Sequence, residues 1–280
     1  MGGMEDLKLR YPNWDEPSEG NEALCKQFSM ELWRGHAATL PYRFFVPKES
    51  TENTGAHAKK YPLVLYLHGA DVTGSDNKKH LLLHDIGTVF ARPDWQKSHP
   101  CFILAPQYDR PLHWTLKEVQ ETLLLLIPHI IQKYESIDQA RVYVYGYSAG
   151  GLGTLELLKN TDLFAGAVVI CGATYHDRLE KLTRTPIWLL HAVDDRIVSP
   201  FRKAGFGVEY LGSRALYDLL ENEPSAMLHY TEYKKGELKE KYDLNPHCAW
   251  VPAGQDEEVK EWLFRQRRQS ISPLRQPHRE

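Results

Sequence analysis

Arg141-Val142-Tyr143-Val144-Tyr145-Gly146-Tyr147-Ser148-Ala149-Gly150-Gly151 is the stretch whose reading decides the fold. Its first half is a short β-branched and aromatic run of the kind that forms a buried strand. It ends in Gly146-Tyr147-Ser148-Ala149-Gly150, a G-x-S-x-G pentapeptide, and passes into Leu152-Gly153-Thr154-Leu155-Glu156-Leu157-Leu158, which reads as a helix. Strand, tight turn and helix are the context in which this pattern becomes a nucleophile elbow. The turn forces the serine into a strained conformation, and the flanking glycines remove side chains that would clash there. The hydroxyl is then presented at the top of a sheet beside a helix N-terminus, where backbone N–H groups can meet an anion.

Outward from the elbow, apolar strand-length runs alternate with helical patterns. Phe28 to Trp33 and Tyr42 to Val46, with Gly35 between them, suggest an antiparallel hairpin. Tyr61 to Gly69 is a continuous apolar run, as expected of a strand covered on both faces. His80 to Phe90 reads as a helix, Cys101 to Ala105 as a strand stopped by Pro106, and Leu116 to Lys133 as a long amphipathic helix carrying Pro128. Beyond the elbow, Ala165 to Cys171, Pro186 to His191 and Ala226 to Thr231 read as strands. Arg214 to Glu221 and Glu257 to Arg268 read as helices, the second with an apolar stripe at Val259, Trp262 and Leu263. This alternation predicts an α/β protein with a mainly parallel central sheet, helices on both faces and an antiparallel N-terminal hairpin. Residues 1–24 are expected to form an irregular arm, 25–268 a single domain, and 269–280 a frayed tail.

A chain of 280 residues can bury a good core as one domain. Its formal net charge of -3 points to neither nucleic acid nor an anionic membrane as partner. No apolar run is long enough to span a bilayer, and the polar N-terminus lacks the apolar core of a signal peptide, so a cytoplasmic location is expected. The four cysteines, Cys25, Cys101, Cys171 and Cys248, are scattered and form no C-x-x-C; buried free thiols are the expected state.

A serine is a poor nucleophile until a base takes its proton, and the base needs an orienting carboxylate. Behind an elbow of this kind the chain order is serine, acid, histidine. The strand ending at His191 runs into Asp194 and Asp195, which point opposite ways on leaving it, so one of them can face the base. Of the histidines beyond, His229 is inside a strand-like run and His278 is in the tail. His247 stands on a loop ahead of the last helix, where a base belongs. For the oxyanion, the backbone N–H of Ala149 is one donor. The second should come from the loop after the Tyr61–Leu67 strand, with Ala70 preferred and Asp71 as alternative; His68 is expected to hydrogen-bond beneath that loop.

The motifs Leu67-His68-Gly69-Ala70, Gly74-Ser75-Asp76-Asn77, Leu104-Ala105-Pro106-Gln107 and Val144 to Gly151 recur in this order in one branch of the α/β-hydrolases, and the chain resembles that branch over roughly residues 40 to 268. It comprises esterases often labelled predicted peptidases, close to polyhydroxybutyrate-depolymerase and feruloyl-esterase-like enzymes. Asp162 to Ala165, Ile170-Cys171-Gly172, Pro186-Ile187-Trp188 and Trp262-Leu263-Phe264 are similar as well. The resemblance implies an acid in a His-Gly-x-x-Asp-x-x-Val pattern, which falls on Asp195 with Val198 as the valine, and a base three residues before a Trp, which matches His247 and Trp250. This chain departs from the pattern at Asp71, where a second glycine is usual, at Ala192, which replaces the glycine after His191, and in the longer segments Phe201 to Gly212 and Lys234 to Leu244.

These readings imply a serine carboxylic-ester hydrolase with Ser148, Asp195 and His247 as its triad and Ala149 and Ala70 as oxyanion donors. The expected partner is a small-molecule ester, short-chain or aromatic, with Trp114, Tyr147 and Trp250 as candidate substrate-binding residues and Tyr108 beside them. A serine peptidase on the same machinery and a non-catalytic binding module are the alternatives. No cofactor is required. His80 and His84 lie four apart on the expected helix, but no third ligand is near in sequence, so no metal is expected.

Overall fold

A computed structural model describes residues 16–35, 38–52, 59–109, 113–205 and 208–268. The strands are β1 (Ser29–Arg34), β2 (Thr39–Phe45), β3 (Tyr61–Leu67), β4 (Phe102–Pro106), β5 (Ile137–Tyr147) and β6 (Gly166–Ile170). They continue with β7 (Ala173–Tyr175), β8 (Ile187–Ala192), β9 (Arg202–Gly205), β10 (Val208–Gly212) and β11 (Leu228–Tyr233). The longer helices are α1 (Lys117–Lys133), α2 (Ala149–Asn160), α3 (Ser213–Leu220) and α4 (Glu257–Arg265). Helix α1 runs through Pro128 without interruption.

Eight strands form one sheet in the order β1-β2-β4-β3-β5-β6-β8-β11. Strand β1 pairs antiparallel with β2, and β2 antiparallel with β4. The remaining pairs, β3 with β4 and β5, β5 with β6, β6 with β8, and β8 with β11, are parallel. The expected parallel sheet and N-terminal hairpin are both present.

Both faces of the sheet are covered, which is why β3 reads as an unbroken apolar run. Leu63, Leu65 and Leu67 pack with Val142 and Val144 of β5, Leu123 and Ile127 of α1, Leu155 of α2 and Leu216 of α3. The intervening Val64 and Tyr66 pack on the other face with Tyr143, Tyr145, Trp95 and α4 residues Trp262 and Leu263. Each fully buried aliphatic side chain contributes roughly 1.5–3 kcal/mol, so the alternation pins the register of the central strands. Parallel register brings the C-terminal ends of β3, β5, β6 and β8 to one rim, where the candidate side chains collect.

Four segments differ from the sequence-based expectation. His80 to Phe90 is not one helix but a short helix (Lys79–Leu82) followed by two 3-10 turns, Asp85–Gly87 and Val89–Ala91. His84 is extended, with φ -134° and ψ 135°, and His80 is turned into the core, its Nε2–H donating to the Ala105 carbonyl at 3.0 Å. The chain folds back tightly enough that a side chain on Gly87 would strike the His80 carbonyl. The two histidines therefore do not share a helix face, and no metal-binding group of His, Cys, Asp or Glu occurs among the described residues.

The long segment after the acid loop forms the hairpin β9–β10, which joins β7 in a separate three-stranded antiparallel sheet. The charged run after β11 contains a helix, Glu237–Tyr242. In the expected N-terminal arm, Asn21–Cys25 is helical, and Asn21 is buried with its side-chain oxygen accepting from Thr88 Oγ1 at 2.7 Å. The rest of the arm up to residue 15, and the tail 269–280, lie outside the described residues. No helix among the described residues is long and apolar enough to cross a membrane.

Candidate active site

Strand β5 ends at Tyr147 and α2 begins at Ala149, which leaves Ser148 as the single residue of the turn. Its backbone has φ 53° and ψ -122°, a region a non-glycine residue enters only under constraint, at a cost of about 1–3 kcal/mol. The constraint is visible. Ser148 N–H donates to the Ile170 carbonyl at 2.9 Å, and the Ser148 carbonyl accepts from Leu152 at 3.1 Å. The glycines are required by close approach: a Cβ on Gly146 would strike the Gly150 carbonyl, and one on Gly150 would strike the Leu67 carbonyl. Tyr147 is fully buried, whereas Ser148 is partly exposed.

His247 Nε2 lies 2.9 Å from Ser148 Oγ, and His247 Nδ1 lies 2.7 Å from Asp195 Oδ2. Nδ1–H donates to the carboxylate, which leaves Nε2 free to accept from the serine hydroxyl. His247 and Asp195 are 2 % and 4 % exposed, so this chain of hydrogen bonds sits out of bulk water. Cys248 N–H donates to the Asn245 carbonyl, and His247 N–H to Asn245 Oδ1, which curls the loop that carries the imidazole.

The two aspartates after β8 separate cleanly. Asp195 Oδ1 accepts from the backbone N–H groups of Ile197 and Val198 at 2.8 and 3.2 Å, while Oδ2 faces His247. Asp194 instead accepts from Gly236 N–H at 2.9 Å, tying two loops together. Burial pushes the Asp195 carboxyl up, but the imidazoles of His247 and His191 outweigh it and hold the group below the usual carboxylate range. His191, fully buried, was not singled out from the sequence beyond its place in a motif. Its Nε2 meets both Asp195 Oδ2 at 3.1 Å and the Val198 carbonyl at 2.9 Å, so Nε2 carries the proton; Nδ1 meets Ser213 Oγ at 2.9 Å.

Ala149 is the first residue of α2, and Ala70 is the first of a 3-10 turn (Ala70–Val72) after β3, so neither N–H has an acceptor within its own element. Below that turn, His68 Nδ1–H donates to the Gly69 carbonyl at 2.7 Å, and Nε2 accepts from Tyr108 N–H at 3.3 Å. Both nitrogens are satisfied only in the neutral ring, and burial accordingly lowers the His68 pKa to about 4.

The three aromatic residues expected to bind substrate are all buried. Trp114 is fully buried against Gly153, its Nε1–H donating to the His68 carbonyl at 2.9 Å. Tyr147 is also fully buried, and its ring packs on Trp250 with centroids 4.6 Å apart. Trp250 is 2 % exposed; it lines a cavity of about 280 Å³ with His84, Ile86, Gly254 and Glu257, and Ser148 is not part of that lining. Large flat rings beside the elbow gain more from packing than from exposure, and here they brace the turn rather than present a face to a ligand.

The residue that sequence reasoning undervalued is Asp71. Its carboxylate accepts the Tyr147 hydroxyl at 2.9 and 3.0 Å and meets His84 Nε2 at 2.6 Å. Burial pushes this acid up, but His84 and Tyr147 hold it below its ordinary value.

A model of the prolyl oligopeptidase family matches residues 114–206, which span β5, the elbow, α2, β6 and β8. A thermostable esterase of known structure is 34% identical over 88% of this chain and 64% of that one, with a TM-score of 0.77. The chain thus spans slightly less than two thirds of that esterase. An acylaminoacyl peptidase of Pyrococcus horikoshii shares the fold at 12% identity and a TM-score of 0.58, over 92% of this chain and 46% of that one. The Staphylococcus aureus fluorophosphonate-binding serine hydrolase F shares it at 13% identity and a TM-score of 0.60, over 85% and 98%. No curated protein sequence matches the chain. The chain has the α/β-hydrolase fold and is similar to a thermostable esterase and, in fold, to peptidases.

Proposed function

We propose that the chain is a serine hydrolase acting on carboxylic esters, with Ser148 as nucleophile, His247 as base and Asp195 as orienting acid. The observation that carries this reading is the hydrogen-bonded run Ser148 Oγ–His247 Nε2 at 2.9 Å and His247 Nδ1–Asp195 Oδ2 at 2.7 Å, set on a strained, partly exposed turn. His247 takes the hydroxyl proton as Oγ attacks the ester carbonyl carbon. The carbonyl π electrons move to its oxygen, and the N–H groups of Ala149 and Ala70 receive that charge. Asp195, already ionised, stabilises the imidazolium without accepting its proton. His247 then protonates the leaving alcohol and deprotonates a water for attack on the acyl-serine; as the acyl–Oγ bond breaks, His247 returns that proton to Ser148 Oγ, and the carboxylic acid is released.

Ester chemistry is favoured by the likeness to a thermostable esterase over most of this chain. The rings expected to stack on an aromatic acyl group are buried, so short-chain esters are the substrate class retained. Peptide hydrolysis is the second reading, favoured by the prolyl oligopeptidase match across the elbow. The two part on p-nitrophenyl acetate and butyrate against an aminoacyl anilide. Turnover of the esters with little or none of the anilide supports the proposal; cleavage of the anilide alone replaces it with the peptidase.

A further inference from the structure

Catalysis by acyl transfer needs two donors fixed on one oxygen, and in this chain they come from segments far apart in sequence: Ala149 at the head of α2 and Ala70 in the turn after β3. An oxyanion hole works only if both N–H groups stand about 2.7–3.1 Å from where the charge develops, and an error of an ångström is costly. Something must therefore hold the Ala70 turn against the elbow.

Asp71 is placed to do so. It belongs to the same 3-10 turn as Ala70, and its two carboxylate oxygens take the hydroxyl of Tyr147, the residue immediately before Ser148. Tyr147 is itself immobilised: it is fully buried, packed at a tilt against Trp250 with ring centroids 4.6 Å apart, and met edge-on by His84 at 6.2 Å. Gly69, just ahead of the turn, is needed for this closeness, because a side chain there would collide with the Tyr147 ring and with Asp71 Oδ1. His84 closes the set from the far side, with Nε2 at 2.6 Å from Asp71 Oδ2. A buried carboxylate needs hydrogen-bond partners, and His84 and Tyr147 supply them. The polar set is buried and mutually bonded, which makes it rigid.

We propose that Asp71 is a positioning residue that fixes the Ala70 donor relative to Ser148 by clamping the oxyanion turn to the elbow through Tyr147. The inference rests on the serine-hydrolase reading above. It assigns Asp71 no contact with substrate; its effect passes through the Ala70 N–H.

The test compares Asp71→Ala, Asp71→Asn and Tyr147→Phe with wild type on p-nitrophenyl acetate. It records kcat and KM separately, together with the inhibition constant of an alkyl trifluoromethyl ketone, whose hemiketal oxyanion uses the same donors. Asp71→Ala should lower kcat about 100-fold, with KM little changed and ketone affinity reduced in proportion. Asp71→Asn keeps an oxygen for the Tyr147 hydroxyl and should recover at least about tenfold of that loss. Tyr147→Phe, which cuts the clamp from the other end, should lower kcat about tenfold. If Asp71→Ala does not fold, Tyr147→Phe decides alone, by whether kcat and ketone affinity fall together. Unchanged kcat and ketone affinity in a folded variant overturns the clamp, as does a loss confined to KM. Wild-type protein that neither turns over the ester nor reacts with a fluorophosphonate overturns the hydrolase reading itself, a different failure.

Discussion

His191 Nε2 lies 3.1 Å from Asp195 Oδ2, the same oxygen that His247 Nδ1 reaches at 2.7 Å. The Asp195 carboxylate is therefore held from both sides by imidazoles, while its other oxygen is fixed by the Ile197 and Val198 N–H groups. Four donors on one buried carboxylate leave it no freedom to rotate away from His247.

Removing one of those donors should loosen the acid without removing it. His191→Ala deletes a buried hydrogen bond to a charged group and should cost about 1.5–3 kcal/mol of stability. Turnover should fall by about tenfold, mainly in kcat, because a wandering Asp195 leaves His247 poorly aligned. Chemical denaturation with steady-state kinetics checks both numbers.

The adjacent aspartates should part sharply. Asp195→Asn removes the charge that supports the imidazolium and favours the wrong tautomer, so kcat should drop on the order of 10⁴-fold. Asp194→Asn touches only the tie to Gly236 N–H and should leave kcat within about threefold. Equal losses in the two variants would contradict the assignment of the acid to Asp195.

Acid should begin to destabilise the fold above the carboxylate range. Burial lowers the His68 pKa from 6.5 to about 4, and that of His80 well below 6.5. Unfolding restores both to ordinary values, so between 6.5 and about 4 the unfolded chain binds more protons than the folded one. Stability is complete above 6.5 and is lost as pH falls through that window. His68 alone should cost roughly 2 kcal/mol between about pH 7 and pH 5. Urea midpoints across this range measure it, and His68→Gln should flatten the slope.

The thiols should be silent in the native protein. All four cysteines are buried; burial raises the Cys25 and Cys171 thiols, and pushes Cys248 up to about 12 with help from the Asp71 and Asp195 charges. Thiolate reacts, thiol does not. Titration with a disulfide reagent should find no fast-reacting group until denaturant is added, and then four.

The parts of this molecule written in local pattern were legible. The β3 strand announced itself by an unbroken apolar run, β5 by its β-branched and aromatic stretch Val142 to Tyr145, and the elbow by glycines that close approach requires. That His247 and Asp195 would lie together with Ser148 was expected because chain order and motif spacing narrow the choice to a few residues. What local pattern cannot carry is a side-chain bond across the fold. The apolar residues from Leu81 to Phe90 mimic a helix, yet His80 bonds to Ala105 and His84 to Asp71, and those bonds break the helix into turns. The Asp71–Tyr147 contact joins residues 76 apart, and in the sequence Asp71 shows as a missing glycine and an alternative backbone donor, with nothing to tie its side chain to Tyr147. Strand β7 is three residues long and pairs with a hairpin from beyond the acid loop, too short a run to signal itself.

The central claim, that Ser148 is the nucleophile His247 activates, is tested most directly by p-nitrophenyl acetate turnover of wild type, Ser148→Ala and His247→Ala, with fluorophosphonate labelling located by peptide mass. The account predicts labelling at Ser148 in wild type, none in Ser148→Ala, and turnover reduced on the order of a thousandfold or more in both variants. Wild-type turnover in Ser148→Ala, or labelling at another residue, would contradict it.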